Sequence, residues 1–243
     1  MTASSLSLYA FPTQEGMFNM SPFCCKADVL FKIAGMSYEP IVPEDFKVFS
    51  KAKLPVLKDG NAVIEDSEII RLHLEANHGA NFSGNLTAEQ KAVGHAICRM
   101  VEERTRYGLL YTRWHQDEGW AQTSAIFFAD APEGVADMVR GQVRETLHLD
   151  GFGRHSDAEI KAFLKADLTA LADILGDDDF FFGSEPTYID ATVFGLLANF
   201  YASPVRTWTT ELVASFPTLK AYVERGLGRW YPKAFEMLKQ NAA

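Results

Sequence analysis

Strand signals in this chain of 243 residues are confined to its first quarter, and this asymmetry constrains the fold more than any other sequence feature. Apolar alternation and turn residues indicate four short strands there, and capping residues indicate two helices. Lys58-Asp59-Gly60-Asn61 separates the last two strands, and its Asp-Gly pair favours a tight hairpin. The predicted elements in chain order are strand 6–11, helix 22–34, strand 37–42, strand 54–57, strand 62–64 and a helix from Asp66 or Ser67 to about Asn77.

This order, a βαβ unit followed by a ββα unit, is the plan of thioredoxin-like domains. The pattern departs from that plan at one point, because no clear second helix is indicated between Pro43 and Ser50. Glycine and asparagine residues in the 77–85 segment mark it as a linker. We therefore expect an α/β thioredoxin-like domain over residues 1–80.

The rest of the chain predicts helices only. Thr87 and Gln90 form a capping box ahead of a long helix that runs from Ala88 to about Trp114. The segment from 116 to 132 has no clear helical period and is predicted to be a long connection. Further helices are predicted at 135–149, 157–175, 187–201, 217–227 and 232–240. We expect an all-α helical bundle domain over residues 87–243.

Charge and composition exclude several classes of function. The formal net charge of −9 opposes binding to nucleic acid, and no run of basic residues interleaved with aromatic residues offsets it. The apolar runs are too short for a membrane span of roughly 20 residues, and the polar start gives no export signal. The sequence predicts a cytoplasmic protein with no membrane insertion and no nucleic-acid partner.

The cysteine and histidine residues give no metal signature. An odd count of three cysteines fits a reducing compartment. No cysteine or histidine pair has zinc-finger spacing, and His73 and His78 are five residues apart, which places them on different faces of a helix. We expect no metal cofactor.

The segment Ser21-Pro22-Phe23-Cys24-Cys25-Lys26 places a hydroxyl and a thiol at the start of the first helix. A helix N-terminus stabilises anions, so it favours a thiolate, whether that thiolate belongs to the protein or to a bound ligand. Ser21 and Cys24 have the spacing of a C-x-x-C redox motif with its first cysteine replaced, which rules out dithiol cycling through this pair. The alternative is that Ser21 only caps the helix and Cys24 packs beneath it.

Two further segments suit a peptide-like ligand. Lys53-Leu54-Pro55 opens a strand, and a cis X-Pro bond there would expose the backbone of Leu54 at the sheet edge; a trans proline at an edge strand is the alternative. Asp66 and Ser67 lie at the start of the next helix. Ser67 and the helix N-terminus suit a carboxylate, whereas Asp66 suits an ammonium group.

Together with Thr187 and Asp190, a capping box within Phe181 to Ala191, these segments resemble the glutathione S-transferase superfamily along nearly the whole chain. The motifs are most similar to the branch of failed-axon-connections, metaxin-like and related bacterial transferases. The resemblance implies that Ser21 holds the glutathione sulfur as a thiolate. It also implies that Leu54 pairs with the cysteinyl backbone. Asp66 departs from the glutamate that is common at this point in the family.

Other expectations follow from the resemblance. It implies a glutathione site formed by Phe23, Lys53, Leu54, Pro55, Asp66 and Ser67, with glutathione as co-substrate. It also places Tyr107, Tyr111 and Trp114 beside the pocket for a small apolar electrophile, with plain inter-helix packing as the alternative. A homodimer and a role in detoxification are implied as well.

Three functions remain open from the sequence. The first is a glutathione transferase in which Ser21 activates the sulfur. The second is a glutathione-dependent thiol transferase that uses Cys24 as nucleophile, which requires Cys24 to be exposed. The third is a non-catalytic adaptor that binds a protein partner through the helical domain or the 116–132 segment.

Overall fold

The computed structural model of the protein describes residues 6–242, and within them the four predicted strands form one mixed sheet. The strands are β1 (Leu6–Tyr9), β2 (Glu39–Ile41), β3 (Val56–Asp59) and β4 (Ala62–Glu65). Their order across the sheet is β2-β1-β3-β4, with β1 parallel to β2 and antiparallel to β3. β3 and β4 are antiparallel and form the predicted hairpin, with Asp59 opposite Ala62. The thioredoxin-like plan is confirmed.

Helices flank the sheet, and they are the main secondary structure of the rest of the chain. Two belong to the N-terminal part, α1 (Pro22–Ala34) and α2 (Ser67–His78). The others are α3 (Ala88–Met100), α4 (Arg106–Leu110), α5 (Asp117–Phe127), α6 (Val135–Asp150), α7 (Asp157–Leu175), α8 (Tyr188–Tyr201), α9 (Trp208–Ala214), α10 (Pro217–Trp230) and α11 (Pro232–Ala242). A single 3₁₀ turn, Phe46–Val48, stands where the sequence shows no second helix.

The long helix predicted from Ala88 is present, but it is not uniform. π-helical turns at Val101–Thr105 and Tyr111–His115 separate α3 from α4 and follow α4, so the helical path reaches residue 115. Such wider turns change which side chains face each neighbour, because they add a residue to the turn. The α-helical period of 3.6 residues therefore no longer predicts which side chains share a face beyond residue 100.

The predicted connection at 116–132 is wrong, because α5 occupies residues 117–127. α5 folds back on the preceding turn so closely that a Cβ on Gly119 would lie 1.9 Å from the carbonyl oxygen of Thr112. A glycine within a helix weakens the helical signal, and here it is required for close approach. α9 was also missed. None of the helices in the described part of the chain is long and apolar enough to cross a membrane.

α1 and α8 pack against each other and join the two parts of the molecule. Every residue of α8 is buried, which agrees with its continuous apolar sequence. A Cβ on Gly195 would lie 2.6 Å from the carbonyl oxygen of Pro22, so the glycine lets α8 approach the first turn of α1. The start of α1 is thus held by a helix that lies more than 160 residues later in the chain.

The predicted capping box at the start of α8 is confirmed. Oδ2 of Asp190 accepts a hydrogen bond from the backbone N–H of Thr187 at 2.7 Å, and Oδ1 accepts one from the N–H of Phe181 at 2.9 Å. The hydroxyl of Tyr222 also donates to Asp190. Burial raises the pKa of Asp190 to about 6, even though these donors favour the carboxylate. Asp190 therefore organises the core rather than the chemistry.

We predict that Asp190→Ala lowers the free energy of unfolding by about 2–4 kcal/mol, because it breaks the capping box of α8 and leaves the buried N–H groups of Phe181 and Thr187 without an acceptor. Urea unfolding of the variant and the wild type measures the difference. Asp177→Ala, at an exposed position, is the control and should change stability little. Equal losses for the two variants would contradict the structural role of Asp190.

Candidate active site

A cleft of about 240 Å³ lies between the thioredoxin-like part and the helical segment that contains α3 and α4. Its lining comprises Phe23, Lys51, Lys53, Leu54, Pro55, Glu65, Asp66, Ser67, Glu68, Arg99, Glu102, Glu103 and Arg106. All six residues predicted to bind glutathione are in this set. The other seven, all charged, were not predicted.

The Leu54–Pro55 peptide bond is cis, as the resemblance implies. Leu54 is buried beside Cys24 and Val56, and it lies two residues before Val56, where the pairing of β3 with β1 begins. Because strand pairing starts at Val56, the Leu54 backbone borders the cleft at the edge of the β1–β3 ladder. This position suits pairing with the backbone of an extended peptide.

Asp66 is the residue that caps α2. Its Oδ1 accepts hydrogen bonds from the backbone N–H groups of Glu68 at 2.8 Å and Ile69 at 3.4 Å. Its φ of 95° lies in the left-handed region, which is rare for a residue other than glycine and is often found at ligand sites. Ser67 follows, buried to all but 3% of its surface and still part of the cleft lining. The helix N-terminus therefore faces the cleft with a hydroxyl beside it.

Ser21 caps α1, and its Oγ accepts from the backbone N–H of Cys24 at 3.4 Å. This contact uses a lone pair, so the hydroxyl proton can still be donated elsewhere. Ser21 itself does not line the 240 Å³ cleft; its neighbours Pro22 and Phe23 line a recess of about 10 Å³, and Phe23 lines the cleft as well. Ser21 therefore lies next to residues that line the cleft and the recess, but it lines neither of them.

A buried polar network that sequence reasoning missed holds this turn in place. The backbone N–H of Ser21 donates to Oδ1 of Asn19 at 2.9 Å, and Asn199 on α8 donates to the carbonyl oxygen of Asn19 at 3.1 Å. Arg113 donates to the carbonyl oxygens of Met20 and Asn199, both at 2.8 Å. Burial lowers the pKa of Arg113 to about 9. Asn199 within the otherwise apolar sequence of α8 was the available signal.

The structure corrects the prediction for Cys24. Its side chain is fully buried, packed with Leu54 and Val56, and burial raises its pKa to about 11. The backbone hydrogen bond at Phe11 and the contact with Ser21 lower the pKa only in part. A buried thiol that is neutral at pH 7 lacks both the access and the thiolate that a nucleophile needs. The second function, thiol transfer through Cys24, therefore lacks its required exposed residue.

The residues that line the 240 Å³ cleft do not include Tyr107, Tyr111 or Trp114, so their place beside an electrophile pocket stays a prediction. The ring of Tyr107 lies 5.7 Å from that of Phe152, and the hydroxyl of Tyr111 bonds to Asp157. Trp114 packs on aromatic rings of α5, including Trp120 at 5.6 Å. These contacts between elements agree with the alternative of inter-helix packing.

Lys26, in the first turns of α1, is 99% buried and links three helices. Its Nζ lies 2.9 Å from Glu68 on α2 and 2.7 Å from Glu102 in the first π-helical turn. Burial alone would lower the pKa of Lys26, but the charges of Glu102 and Glu68 outweigh it and raise the pKa. For Glu68, burial favours the neutral acid, yet hydrogen bonding from Arg71 and the charge of Lys26 lower its pKa to about 2. Lys26 and Glu68 are therefore ionised at neutral pH, and Glu68 is part of the cleft lining.

Among the residues that the structure describes, Lys51, Lys53 and Arg106 of the cleft lining form no ion pair with a carboxylate, although Nζ of Lys51 donates to the carbonyl oxygen of Glu65 at 3.5 Å. Lys53 is exposed and Arg106 is half-buried. The Arg106 guanidinium instead contacts aromatic rings, 5.9 Å from that of Phe23 and 4.2 Å from that of Tyr107. These two side chains can each receive an anionic group of a ligand.

Two family models match the sequence, and together they cover about two thirds of it. The glutathione S-transferase N-terminal domain matches residues 22–119, and the glutathione S-transferase C-terminal domain matches residues 164–226. The chain belongs to the glutathione S-transferase superfamily.

Relatives within this superfamily confirm the expected branch. The chain is 26% identical over 232 residues to the isoprene-epoxide glutathione S-transferase of Rhodococcus sp. (strain AD45), covering 90% of this chain and 97% of that protein. It is 27% identical over 244 residues to Failed axon connections of Drosophila melanogaster, covering 93% of this chain but 58% of that protein. Metaxin-3 of Danio rerio is 28% identical over 158 residues, which are 60% of this chain and 50% of the metaxin.

Solved structures of the superfamily share the fold. Human glutathione S-transferase T1-1 in its apo form matches with a TM-score of 0.62 over 97% of this chain and 88% of that chain, at 16% sequence identity.

In this superfamily member we predict that Lys26→Met lowers the free energy of unfolding by about 3 kcal/mol at pH 7, because it leaves Glu102 buried without one of its partners. The stabilisation from Glu68 is complete above its ordinary pKa of 4.5 and is lost as the pH falls toward about 2, so the acid-induced loss should be smaller in the variant. Urea unfolding at a series of pH values measures both effects.

Lys32→Met is the matched control on the same helix. Lys32 is 36% exposed and lies 3.7 Å from Asp28, so its removal should cost less than about 1 kcal/mol. If both variants lose the same stability, the buried ion pairs are not what joins the three helices.

Proposed function

We propose that this chain is a glutathione transferase, which binds reduced glutathione in the 240 Å³ cleft and transfers its thiolate to a small apolar electrophile. The observation that carries the proposal is the combination within one cleft of the cis Leu54–Pro55 turn and the N-terminus of α2. The first offers backbone groups to an extended peptide, and the second offers hydrogen-bond donors to a carboxylate.

The charges of the cleft suit a zwitterionic tripeptide. Glutathione carries two carboxylates and one ammonium group at neutral pH. Ser67 and the start of α2 suit the γ-glutamyl carboxylate, whereas Asp66 suits the ammonium group beside it. Lys53 then lies free for the glycine carboxylate. The tripeptide would lie across the cleft with its cysteinyl backbone against Leu54.

The sulfur would be activated at the start of α1. A free thiol has a pKa of about 8.5, so a lowering by about two units turns a minor thiolate fraction into the major one at neutral pH. Ser21 would donate its hydroxyl proton to this sulfur, and the N-terminus of α1 would add its dipole. The network of Asn19, Arg113 and Asn199 supports this role, because it fixes the Ser21 turn from the helical side.

Ser21→Ala should reduce the turnover number for conjugation at least tenfold and change the affinity for glutathione little, because the hydroxyl is proposed to stabilise the thiolate rather than bind the tripeptide. A spectrophotometric conjugation assay with an epoxide and with an aromatic halide measures turnover. The epoxide is included because the Rhodococcus relative is named for one.

The control for loss of a helix cap is Ser156→Ala, since Ser156 caps α7 outside the cleft. It should keep full turnover. If Ser21→Ala turns over as fast as the wild type, the Ser21 hydroxyl does not activate the sulfur.

Lys53→Met should weaken glutathione binding by about 10- to 100-fold, which corresponds to the loss of one hydrogen bond between charged groups, while turnover at saturation changes less. Lys58→Met is the control, because Lys58 lies on β3 over the ring of Tyr9 and does not line the cleft. Calorimetric titration with glutathione measures both dissociation constants. If Lys53→Met and the wild type bind glutathione with equal affinity, Lys53 does not contact the bound tripeptide.

A non-catalytic adaptor remains the second candidate, since Failed axon connections and metaxins are relatives whose names do not include a transferase activity. Binding of glutathione by the wild type without conjugation of any electrophile would support the adaptor over the transferase. A cytoplasmic location, a homodimer, a role in detoxification and the division into domains 1–80 and 87–243 stay predictions.

A further inference from the structure

Three side chains with metal-binding atoms meet on the thioredoxin-like part, outside the cleft. Asp59 ends β3, His73 lies in the middle of α2, and His78 is the last residue of α2. The Nε2 atoms of the two histidines lie 2.8 Å and 2.7 Å from Oδ2 of Asp59. The three ligand atoms lie within 4.8 Å of one another, and each side chain is 14–21% exposed.

His73 and His78 lie on different helix faces, as their spacing predicts, yet both side chains reach the same carboxylate. Five residues on a helix turn through about 500°, so the two Cα atoms do point in different directions. The two rings nevertheless approach to 5.7 Å between centroids, because both reach Asp59, which the hairpin brings to α2 from outside the helix. Spacing along one helix contains no information on a ligand from another element.

We propose that Asp59, His73 and His78 form a binding site for one divalent transition-metal ion, and that zinc is its occupant. Imidazole nitrogen and carboxylate oxygen are common zinc ligands, whereas magnesium and calcium prefer oxygen ligands alone. Three protein ligands leave one tetrahedral position, and the partial exposure of all three side chains lets water supply the fourth ligand.

The two distances to Asp59 require only a small adjustment. Bonds of about 2.0–2.1 Å in a tetrahedral zinc site separate neighbouring ligand atoms by about 3.3 Å, so the two histidines would move away from Asp59 by about half an ångström each. Each neutral imidazole would bind through the lone pair of Nε2 and carry its proton on Nδ1.

A bound ion would tie the second half of α2 to the end of β3. The same helix contributes Ser67 to the cleft, and His73 and His78 lie about 9 Å and 17 Å further along its axis. The ion would therefore fix α2 without contacting the glutathione site. The proposal concerns a separate site and does not depend on transferase activity.

The test is zinc titration of the untagged full-length protein in the absence of glutathione and of thiol reductants, in competition with a chromogenic chelator. We expect one ion per chain and a higher melting temperature with zinc. His73→Ala and His78→Ala should each weaken binding by at least about 10- to 100-fold. His95→Ala, an exposed histidine on α3, is the matched control and should bind as the wild type does.

A conservative variant separates loss of the metal from loss of the fold. His78→Gln keeps a side chain that can hydrogen-bond to Asp59 but replaces the imidazole ligand, so it should retain the metal-free melting temperature and lose the zinc-dependent increase. Cobalt bound to the wild type should give the visible absorption of a tetrahedral site, and this absorption should be absent from His78→Gln. Absence of binding by the wild type, or equal zinc affinity in the wild type and the His73 and His78 variants, would overturn the proposal.

Discussion

The ion pairs of Lys26 connect the parts of the molecule on which the cleft depends. One ammonium group, almost entirely removed from water, contacts Glu68 at the start of α2 and Glu102 in the helical segment opposite. A buried charge of this kind is tolerated only when its partners are fixed around it, so the three helices must keep their relative positions. Both partners also line the cleft, which means that the same interaction sets its shape and its charge.

The Ser21 turn is fixed in a comparable way from the helical side. Arg113 and Asn199 bind the backbone that precedes α1, and Gly195 allows α8 to contact the carbonyl oxygen of Pro22. Catalytic groups work best when other residues restrict their positions. The residues proposed to bind glutathione come mainly from the thioredoxin-like part, whereas those that hold them in place come largely from the helical part.

The fold was largely predictable because its signals are local. Turn residues, caps and apolar periods identified the four strands and most helices, and the segments around Pro55, Ser67 and Asp190 were placed correctly in the cleft or the core. The failures at α5 and at Cys24 depend on contacts between elements, which a local sequence pattern does not contain. α5 forms where Gly119 meets Thr112.

Contacts between elements also involve the candidate residues themselves. Cys24 has the right spacing from Ser21, but its burial depends on Leu54 and Val56 from another segment. Tyr107 and Trp114 lie on the expected helix, and their packing partners Phe152 and Trp120 come from other elements. His73 and His78 meet only because Asp59 comes from the sheet.

The central claim is that the cleft between the two parts binds glutathione with its sulfur at the start of α1. A crystal structure of the protein with reduced glutathione tests this claim most directly. The account predicts the cysteinyl backbone against Leu54, the γ-glutamyl carboxylate at Ser67 and the sulfur within hydrogen-bond distance of the Ser21 hydroxyl. An empty cleft at saturating glutathione, or a tripeptide bound elsewhere, would contradict it.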